Sequence, residues 1–396
     1  MANALPLLSL MVMAAAAAAT AAAEPMPVPD PTAHLANGSG GGSYAHFFSF
    51  GDSQIDTGNF IHYYHDPALI AGHFPYGETF FHRPTGRNCD GRVIVDFIVE
   101  RLGFPYLTGE TAEDFRYGAN LAVCSATVMD PLFYKNKHHL SIDGITPYSL
   151  GVQIDWLKKV LATLGSTDQE RREIMASSLF LVGGFGTNDY FQPINQNRTL
   201  DFVLSLVPLI IDSMGLYLES LIQLGAKTLY VPGVVPLGCV PRFLFQFRDS
   251  AAGDYDPATG CLRWLNGLAA RHNALLRAKL AALRRAHGGD GVSVVYADYY
   301  GDNLGAVASP ARKGFDAATV LDQCCGGGGL HNANYSVLCA EPGYVLCPDP
   351  SRYVSWDGLH NTEAMHEIMV GGMLDAWTGR SKRLPSCPEA GRSRGN

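Results

Sequence analysis

Short apolar runs alternate with amphipathic segments of helical length along most of this sequence, and that alternation leaves few folds open to the chain. Residues 178–182, Ser-Leu-Phe-Leu-Val, form an uninterrupted apolar run that ends in glycines, which is typical of a strand buried within a parallel sheet. Further strands are predicted at residues 46–50, 227–231 and 292–296. Helices are predicted at residues 92–102, 200–224, 262–286 and 362–377, with a kink near Pro208. This order of elements predicts an α/β domain with a mostly parallel central sheet.

The size and charge of the chain narrow its class further. Its 396 residues are 47% hydrophobic and 17% charged, which suits one large domain or two ordinary ones. Because no linker divides the middle of the sequence, we expect a single domain over residues 44–380. The net charge of −8, without a run of like charges, excludes a nucleic-acid footprint and a polyanion-binding patch.

The two ends of the chain differ in composition from this domain. Residues 5–23 are apolar and rich in alanine and end in a small-residue cleavage site, so residues 1–23 are predicted to be a secretory signal peptide. An uncleaved anchor is the alternative, since the stretch is just long enough to span a bilayer and lacks a preceding Lys or Arg. Residues 24–43 have the composition of a flexible leader, and residues 381–396 are assigned to a tail.

Three sequons support a secretory route and predict N-linked glycosylation at Asn37, Asn197 and Asn334. The apolar stretch 200–222 carries Asp and Glu side chains, so it is not predicted to span a membrane, and no stable membrane partner is expected. We therefore expect the protein outside the cell, in the cell wall, with retention in the Golgi as the alternative.

Nine cysteines in a secreted chain predict disulfide bonds with one thiol left over. Cys239 and Cys261 flank a polar loop and are predicted to pair. Two more bridges are predicted within a Gly-rich cluster made of Cys324, Cys325, Cys339 and Cys347. Zinc ligation is the alternative for this cluster, although its spacing is not a paired C-x-x-C pattern. The remaining cysteines are Cys89, Cys124 and Cys387.

A serine hydroxyl stands where the first predicted strand ends. The strand stops at Gly51, and Ser53 follows in a polar turn. A serine at such a position can face solvent while its backbone N–H points at a ligand, as a nucleophile requires. For this segment alone, an ordinary Gly-Asp-Ser turn is the alternative.

Near the C-terminus, Asp357 precedes His360 by three residues, in a turn that leads into the last helix. A histidine is an effective base for a serine when a carboxylate fixes its tautomer and stabilises its cation. Taken alone, the pair is also compatible with a turn aspartate and a surface histidine. His73, His82 and His272 lack such a partner and are interpreted as surface or core residues.

Together with the central motif Gly186-Thr187-Asn188-Asp189, these two motifs make the chain resemble the GDSL (SGNH) hydrolase family, most closely its plant esterase/lipase branch, from about residue 46 to about residue 377. The resemblance implies a three-layer α/β/α sandwich of the flavodoxin-like type, without a cofactor or metal. It implies that Ser53 is the nucleophile, Asp357 the orienting acid and His360 the general base. The Gly-x-Ser-x-Gly elbow of α/β-hydrolases is absent from this pattern.

The resemblance also implies three donors for the oxyanion: the backbone N–H groups of Ser53 and Ser125 and the side-chain amide of Asn188. A turn asparagine that caps its own backbone is the alternative for Asn188. The family has a glycine where this chain has Ser125. If that residue needs a positive φ, a serine is strained there and its side chain crowds the acyl pocket.

Two further departures concern Gly184, where the plant branch usually has Glu, and Asn88-Cys89, where Phe-Ser is usual. The expected function is a secreted carboxylic ester hydrolase that removes small acyl groups from glycosides, cell-wall polysaccharides or specialised metabolites. The alternatives are an acyltransferase that uses the same residues and a weakened relative that binds esters or glycans. The expected partner is a small-molecule or polysaccharide ester, and the oligomeric state stays open.

Overall fold

The computed structural model describes residues 44–103, 111 and 113–377. The predicted signal peptide and leader, together with Asn37, Cys387 and the tail 381–396, lie outside the described residues.

The core of the fold is a sheet of five parallel strands. They are β1 (His46–Phe50), β2 (Gly118–Asn120), β3 (Ser178–Val182), β4 (Thr228–Pro232) and β5 (Ser293–Ala297). Their order across the sheet is β2-β1-β3-β4-β5, so the chain crosses from one side of β1 to the other between β2 and β3. Parallel sheets of this kind bind ligands at the carboxyl ends of the strands beside such a crossing. The ends of β1 and β3 are therefore the expected place for a site.

Helices cover both faces of the sheet. They are α1 (Asn59–Tyr64), α2 (Ile94–Leu102), α3 (Pro131–His138), α4 (Leu150–Leu164), α5 (Asp168–Ala176), α6 (Thr187–Asn195), α7 (Leu200–Leu224), α8 (Pro241–Gln246), α9 (Arg263–His287), α10 (Tyr299–Ala308), α11 (Pro310–Lys313) and α12 (Glu363–Trp377). Phe48 and Phe180 share one core with α4, α7 and α9, whereas Phe47 and Leu179 share another with α2, α10 and α12. Adjacent strand residues face opposite layers because side chains alternate along a strand. The predicted three-layer sandwich is thus confirmed.

The longest apolar helix, α7, begins and ends as predicted and runs without a break through Pro208. Thr199 caps its N-terminus by accepting a hydrogen bond from the Phe202 N–H, and Gly225 ends it in the left-handed conformation. By length and composition α7 could cross a membrane. However, its buried face, which includes Leu206, packs in the core with α9.

The disulfides confirm the predicted pair Cys239–Cys261 and place two bridges in the Gly-rich cluster, Cys324–Cys347 and Cys325–Cys339. The zinc alternative for the cluster is wrong, since all four sulfurs are in disulfide bonds. The prediction of a single leftover thiol is also wrong, because Cys89 and Cys124 are both free. Cys89 is buried, and its thiol donates hydrogen bonds to Asp90 and to the Arg92 carbonyl instead of pairing.

Candidate active site

The turn after β1 holds Ser53 at the carboxyl edge of the sheet. The Asp52 carbonyl accepts hydrogen bonds from the backbone N–H groups of Ile55 and Asp56, which closes the turn around Ser53. Gln153 of α4 fixes the start of this turn at Gly51. Its Oε1 accepts a hydrogen bond from the Gly51 N–H, and its Nε2 donates one to the Gly51 carbonyl, both at 2.9 Å. Within the described residues, the Ser53 backbone N–H has no acceptor. It is therefore free to donate to a ligand oxygen.

The turn before α12 brings Asp357 and His360 together. Nδ1 of His360 lies 2.8 Å from both carboxylate oxygens of Asp357, and the two side chains are only 11% and 7% exposed. Gly358 between them has φ +89°, and a Cβ there would lie 2.0 Å from Oε1 of Gln323, so this position requires glycine. Tyr76 donates a 2.8 Å hydrogen bond to Oδ2 of Asp357 and fixes the carboxylate from the other side.

The disulfide cluster supports this turn. The backbone N–H groups of Cys324 and Cys325 donate to the carbonyls of Ser355 and Trp356, at 2.9 and 2.8 Å. Each of these cysteines is bonded to a different partner in the cluster. The bridges thus hold the segment that carries the histidine.

The pair has opposed pKa shifts that suit a base and its orienting acid. Burial alone would lower the pKa of His360, but the charge and hydrogen bond of Asp357, with a contribution from Asp52, raise it above its ordinary value. Burial would raise the pKa of Asp357, yet the charge of His360 and the hydrogen bonds from His360 and Tyr76 lower it. Asp357 is therefore ionised where His360 exchanges its proton.

The first and last motifs meet through a direct contact. Nε2 of Gln54 donates a 3.4 Å hydrogen bond to the carbonyl of Leu359. Gln54 follows Ser53 and Leu359 precedes His360, so the candidate nucleophile and base flank this contact.

The middle motif lies against the same turn. Nδ2 of Asn188, at the start of α6, donates to the Ala126 carbonyl at 2.9 Å and to Oδ2 of Asp52 at 3.3 Å. The amide is thus beside the serine turn, but both of its hydrogens face protein acceptors. The 3.3 Å hydrogen bond to Asp52 is the weaker of the two, so a ligand oxygen could take the place of Asp52 as its acceptor. Asp189 next to it is buried and accepts hydrogen bonds from the N–H groups of Val128 and Met129.

Ser125 has the conformation that the family's glycine suggested. Its φ is +62°, in the left-handed region that serine seldom adopts. The Ser125 backbone N–H has no acceptor within the described part of the chain. Cys124 beside it is half-buried, and burial with the charge of Asp56 raises the pKa of its thiol to about 12, so the thiol stays protonated.

Gly184 also has a structural explanation. Its φ is +78°, and a Cβ there would lie 2.4 Å from Oδ1 of Asp52. The buried Asp52 carboxylate fills the space that a side chain at Gly184 would need. Burial, which outweighs the Gln54 N–H and the charge of His360, raises the pKa of Asp52 to about 7.

Sequence reasoning missed the residue that joins the serine turn to the Ser125 loop. Asp56 is fully buried, and its carboxylate accepts hydrogen bonds from the N–H groups of Gly58, Asn59 and Phe60 and, at 2.7 Å, of Cys124. Tyr76, which holds Asp357, was missed as well. Asp56 stands three residues after Ser53, which is the only sequence signal of its role.

The Asp56→Asn variant is expected to lose about 2–4 kcal/mol of unfolding free energy, because the new amide group turns an N–H₂ toward backbone donors that need an acceptor. We also expect kcat for ester hydrolysis to fall by about ten- to a hundredfold, since the Ser125 loop loses its anchor. Urea unfolding and steady-state kinetics measure the two effects. Asp66→Asn is the matched control, because Asp66 is exposed and accepts only the local N–H of Ala68. Equal behaviour of the two variants would contradict this role.

Within the described residues, His73, His82 and His272 are surface or core residues as predicted, and two of the three sequons are exposed. His272 is buried with Nδ1 2.8 Å from the Tyr190 hydroxyl oxygen, and burial lowers its pKa to about 3. His73 and His82 are exposed. Asn197 and Asn334 are exposed as well, so both are accessible, and glycosylation there stays a prediction.

Across the described ranges, no three His, Cys, Asp or Glu side chains are grouped as metal ligands.

Comparison with known proteins identifies the family. The model of the GDSL-like lipase/acylhydrolase family matches residues 47–371. Similar proteins include the GDSL esterase/lipase At1g31550 of Arabidopsis thaliana, 42% identical over 330 residues that cover 82% of each chain. Sinapine esterase of Brassica napus is 40% identical over 339 residues, 84% of this chain and 85% of that protein. The chain therefore belongs to the GDSL lipase/acylhydrolase family, in its plant esterase/lipase branch, and is a carboxylic ester hydrolase.

Proposed function

We propose that the protein hydrolyses esters of small acyl groups with Ser53 as nucleophile, His360 as general base and Asp357 as orienting acid. The observation that carries the proposal is the contact between Gln54 and Leu359, which sets the serine turn against a buried His360–Asp357 pair. The Ser53 N–H, without an acceptor in the described chain, adds a donor at the point where negative charge would develop.

In the first half of the reaction, Oγ of Ser53 attacks the ester carbonyl and its proton passes to Nε2 of His360. The Asp357 carboxylate accepts a hydrogen bond from the Nδ1–H of the ring, so Nε2 is the nitrogen left free to take the proton. The N–H groups of Ser53 and Ser125 stabilise the oxyanion, and the Asn188 amide joins them by releasing its long contact to Asp52.

In the second half, the tetrahedral intermediate collapses, the bond to the alcohol oxygen breaks, and His360 protonates the departing alcohol. Water then attacks the acyl-serine while His360 takes a proton from the water. As the acyl–Oγ bond breaks and the acid is released, His360 returns this proton to Oγ of Ser53. No metal or cofactor takes part in these steps.

Two features support a preference for small acyl groups. The Ser125 side chain replaces a hydrogen atom at a residue with a left-handed backbone, and Cys124 lies beside it. A side chain at this position needs room next to the proposed oxyanion donors that a glycine would leave to the acyl group. Glycosides, cell-wall polysaccharides and specialised metabolites that carry short acyl esters are the proposed substrates. Three disulfides favour an oxidising compartment, in agreement with secretion to the cell wall.

The test is the hydrolysis of an activated acetate ester as a function of pH. His360 accepts a proton only when it is neutral, so activity is present above its pKa and is lost as the pH falls through that value. Because the pKa of His360 is raised, we expect the acidic midpoint of kcat/KM above 6.5, its ordinary value. An acidic midpoint well below 6.5 would contradict His360 as the base.

Product analysis in the same assay separates hydrolysis from transfer. With and without an added alcohol, the proposal expects free acetate as the main product. A new acetate ester of the added alcohol as the main product would instead assign the site to an acyltransferase.

A further inference from the structure

An arginine lies directly beside the loop that carries the proposed base. Arg242 is in α8, which follows the loop after β4 and so stands at the same sheet edge as Ser53. Its backbone N–H donates a 3.1 Å hydrogen bond to the carbonyl of Gly358, between Asp357 and His360. The position of Arg242 is thereby tied to that of the proposed catalytic pair.

The side chain of Arg242 lies against two aromatic rings. Its Cζ lies 5.2 Å from the ring centroid of Phe191 and 4.4 Å from that of Tyr335. Phe191 is one helical turn after Asn188 on α6. The hydroxyl oxygen of Tyr335 lies 3.1 Å from where a Cβ on Gly358 would stand. Both rings therefore belong to segments that build the candidate site.

The guanidinium has no ion pair or hydrogen bond within the described residues, although the residue is half-buried. Other arginines that stack on rings have such partners: Arg87 pairs with Asp96, Arg92 with Glu363, and Arg248 donates to the Phe245 carbonyl. A charge that is partly removed from water and left without an opposite charge is costly unless a ligand supplies one.

A second group beside Arg242 is also without a partner. The hydroxyl oxygen of Tyr335 is buried and has no hydrogen-bond partner within the described residues. Burial raises the pKa of Tyr335, so its O–H stays protonated and available to donate. The Tyr335 O–H lies next to Gly358, and the Arg242 guanidinium lies over the ring that carries it. A ligand oxygen that binds the guanidinium would therefore also lie close to a hydroxyl that lacks a partner.

We propose that Arg242 binds a carboxylate carried by the ester substrate, so that the site selects acidic esters. The proposal rests on the function proposed above. A carboxylate is favoured because its single charge matches the single guanidinium and its two oxygens match the fork of N–H donors. A phosphate dianion would need a second positive charge. The next cation on this segment, Arg248, is exposed and stacks on Phe245, so it does not supply that charge.

The test compares matched ester pairs that differ only in a free or methylated carboxyl group. 4-Acetoxybenzoate and its methyl ester place the carboxylate on the alcohol side; mono-4-nitrophenyl glutarate and its methyl ester place it on the acyl side. The quantity measured is the ratio of kcat/KM for the acidic ester to kcat/KM for the neutral one. The proteins compared are the wild type, Arg242→Gln, Arg242→Lys and the matched control Arg248→Gln.

We expect Arg242→Gln to lower this ratio by about ten- to a hundredfold in at least one pair, mainly through KM. Arg242→Lys should retain part of the ratio because it keeps the charge, and Arg248→Gln should leave it as in the wild type. Ratios that agree within twofold between the wild type and Arg242→Gln in both pairs would overturn the inference alone. If the wild type turned over none of the esters, the proposed function would fall, and the inference with it.

Discussion

Ser53→Ala is expected to lower kcat for an activated acetate ester by at least about a thousandfold, because the variant has no oxygen that can form the acyl intermediate. The change removes one small oxygen from a turn whose backbone hydrogen bonds, from Ile55 and Asp56 to Asp52, do not involve it. The variant should therefore fold like the wild type. Steady-state kinetics and circular dichroism measure the two properties on the same sample.

The control for this variant is Ser205→Ala. Ser205 is a helix residue of α7 whose hydroxyl donates only to the Phe202 carbonyl, so its loss should leave kcat as in the wild type. If Ser53→Ala kept activity within tenfold of the wild type, Ser53 would not be the nucleophile and the mechanism would have to be abandoned.

Asp357→Asn is expected to lower kcat by about a thousand- to ten-thousandfold. The carboxylate accepts hydrogen bonds from Nδ1 of His360, the Tyr76 O–H and the backbone N–H groups of Leu359 and His360. An amide has one acceptor oxygen for these donors and no negative charge to stabilise the imidazolium. The ring would lose both its fixed tautomer and its raised pKa.

A milder variant calibrates this effect. Tyr76→Phe removes one of the hydrogen bonds that Asp357 accepts but leaves the negative charge in place, so it should lower kcat only by about three- to tenfold. Comparable losses in Tyr76→Phe and Asp357→Asn would show that the carboxylate acts only through the local packing. In the pH profile, the Asp357→Asn variant should also show its acidic midpoint at a lower pH than the wild type.

The elements with the strongest apolar periodicity could be predicted to the residue. β3 and α7 have the predicted bounds, because an uninterrupted buried run and a long apolar face leave little choice of ends. Strands β4 and β5 each begin one residue later than predicted, at Thr228 and Ser293. The pattern of apolar residues shows which residues are buried. The residue at which a strand begins depends instead on the register in which it pairs with its neighbour, which the pattern does not contain.

The candidate site could be predicted only in part. The motifs and the family resemblance that they carry predicted Ser53, Asn188, Asp357 and His360 as site residues, and the fold brings their segments to one sheet edge. The hydrogen bonds that orient them come from residues without a local signal. Tyr76, for example, reaches Asp357 across 281 positions of sequence.

The two free thiols show a second limit of sequence reasoning. A prediction from the number of cysteines assumes that every thiol forms a disulfide bond where a partner exists. Cys89 instead fills a buried position where Asp90 accepts a hydrogen bond from its thiol, and Cys124 lies in the loop that Asp56 fixes. The packing around each thiol keeps both cysteines out of disulfide bonds, and a count of cysteines gives no information on packing.

Reaction of the folded wild-type protein with a serine-reactive phosphonate, followed by peptide mass spectrometry, tests most directly whether Ser53 is an activated nucleophile. We expect one adduct, on Ser53, formed faster as the pH rises through the pKa of His360 and absent from Ser53→Ala. No adduct on well-folded protein, or an adduct on a different serine, would contradict the proposed site.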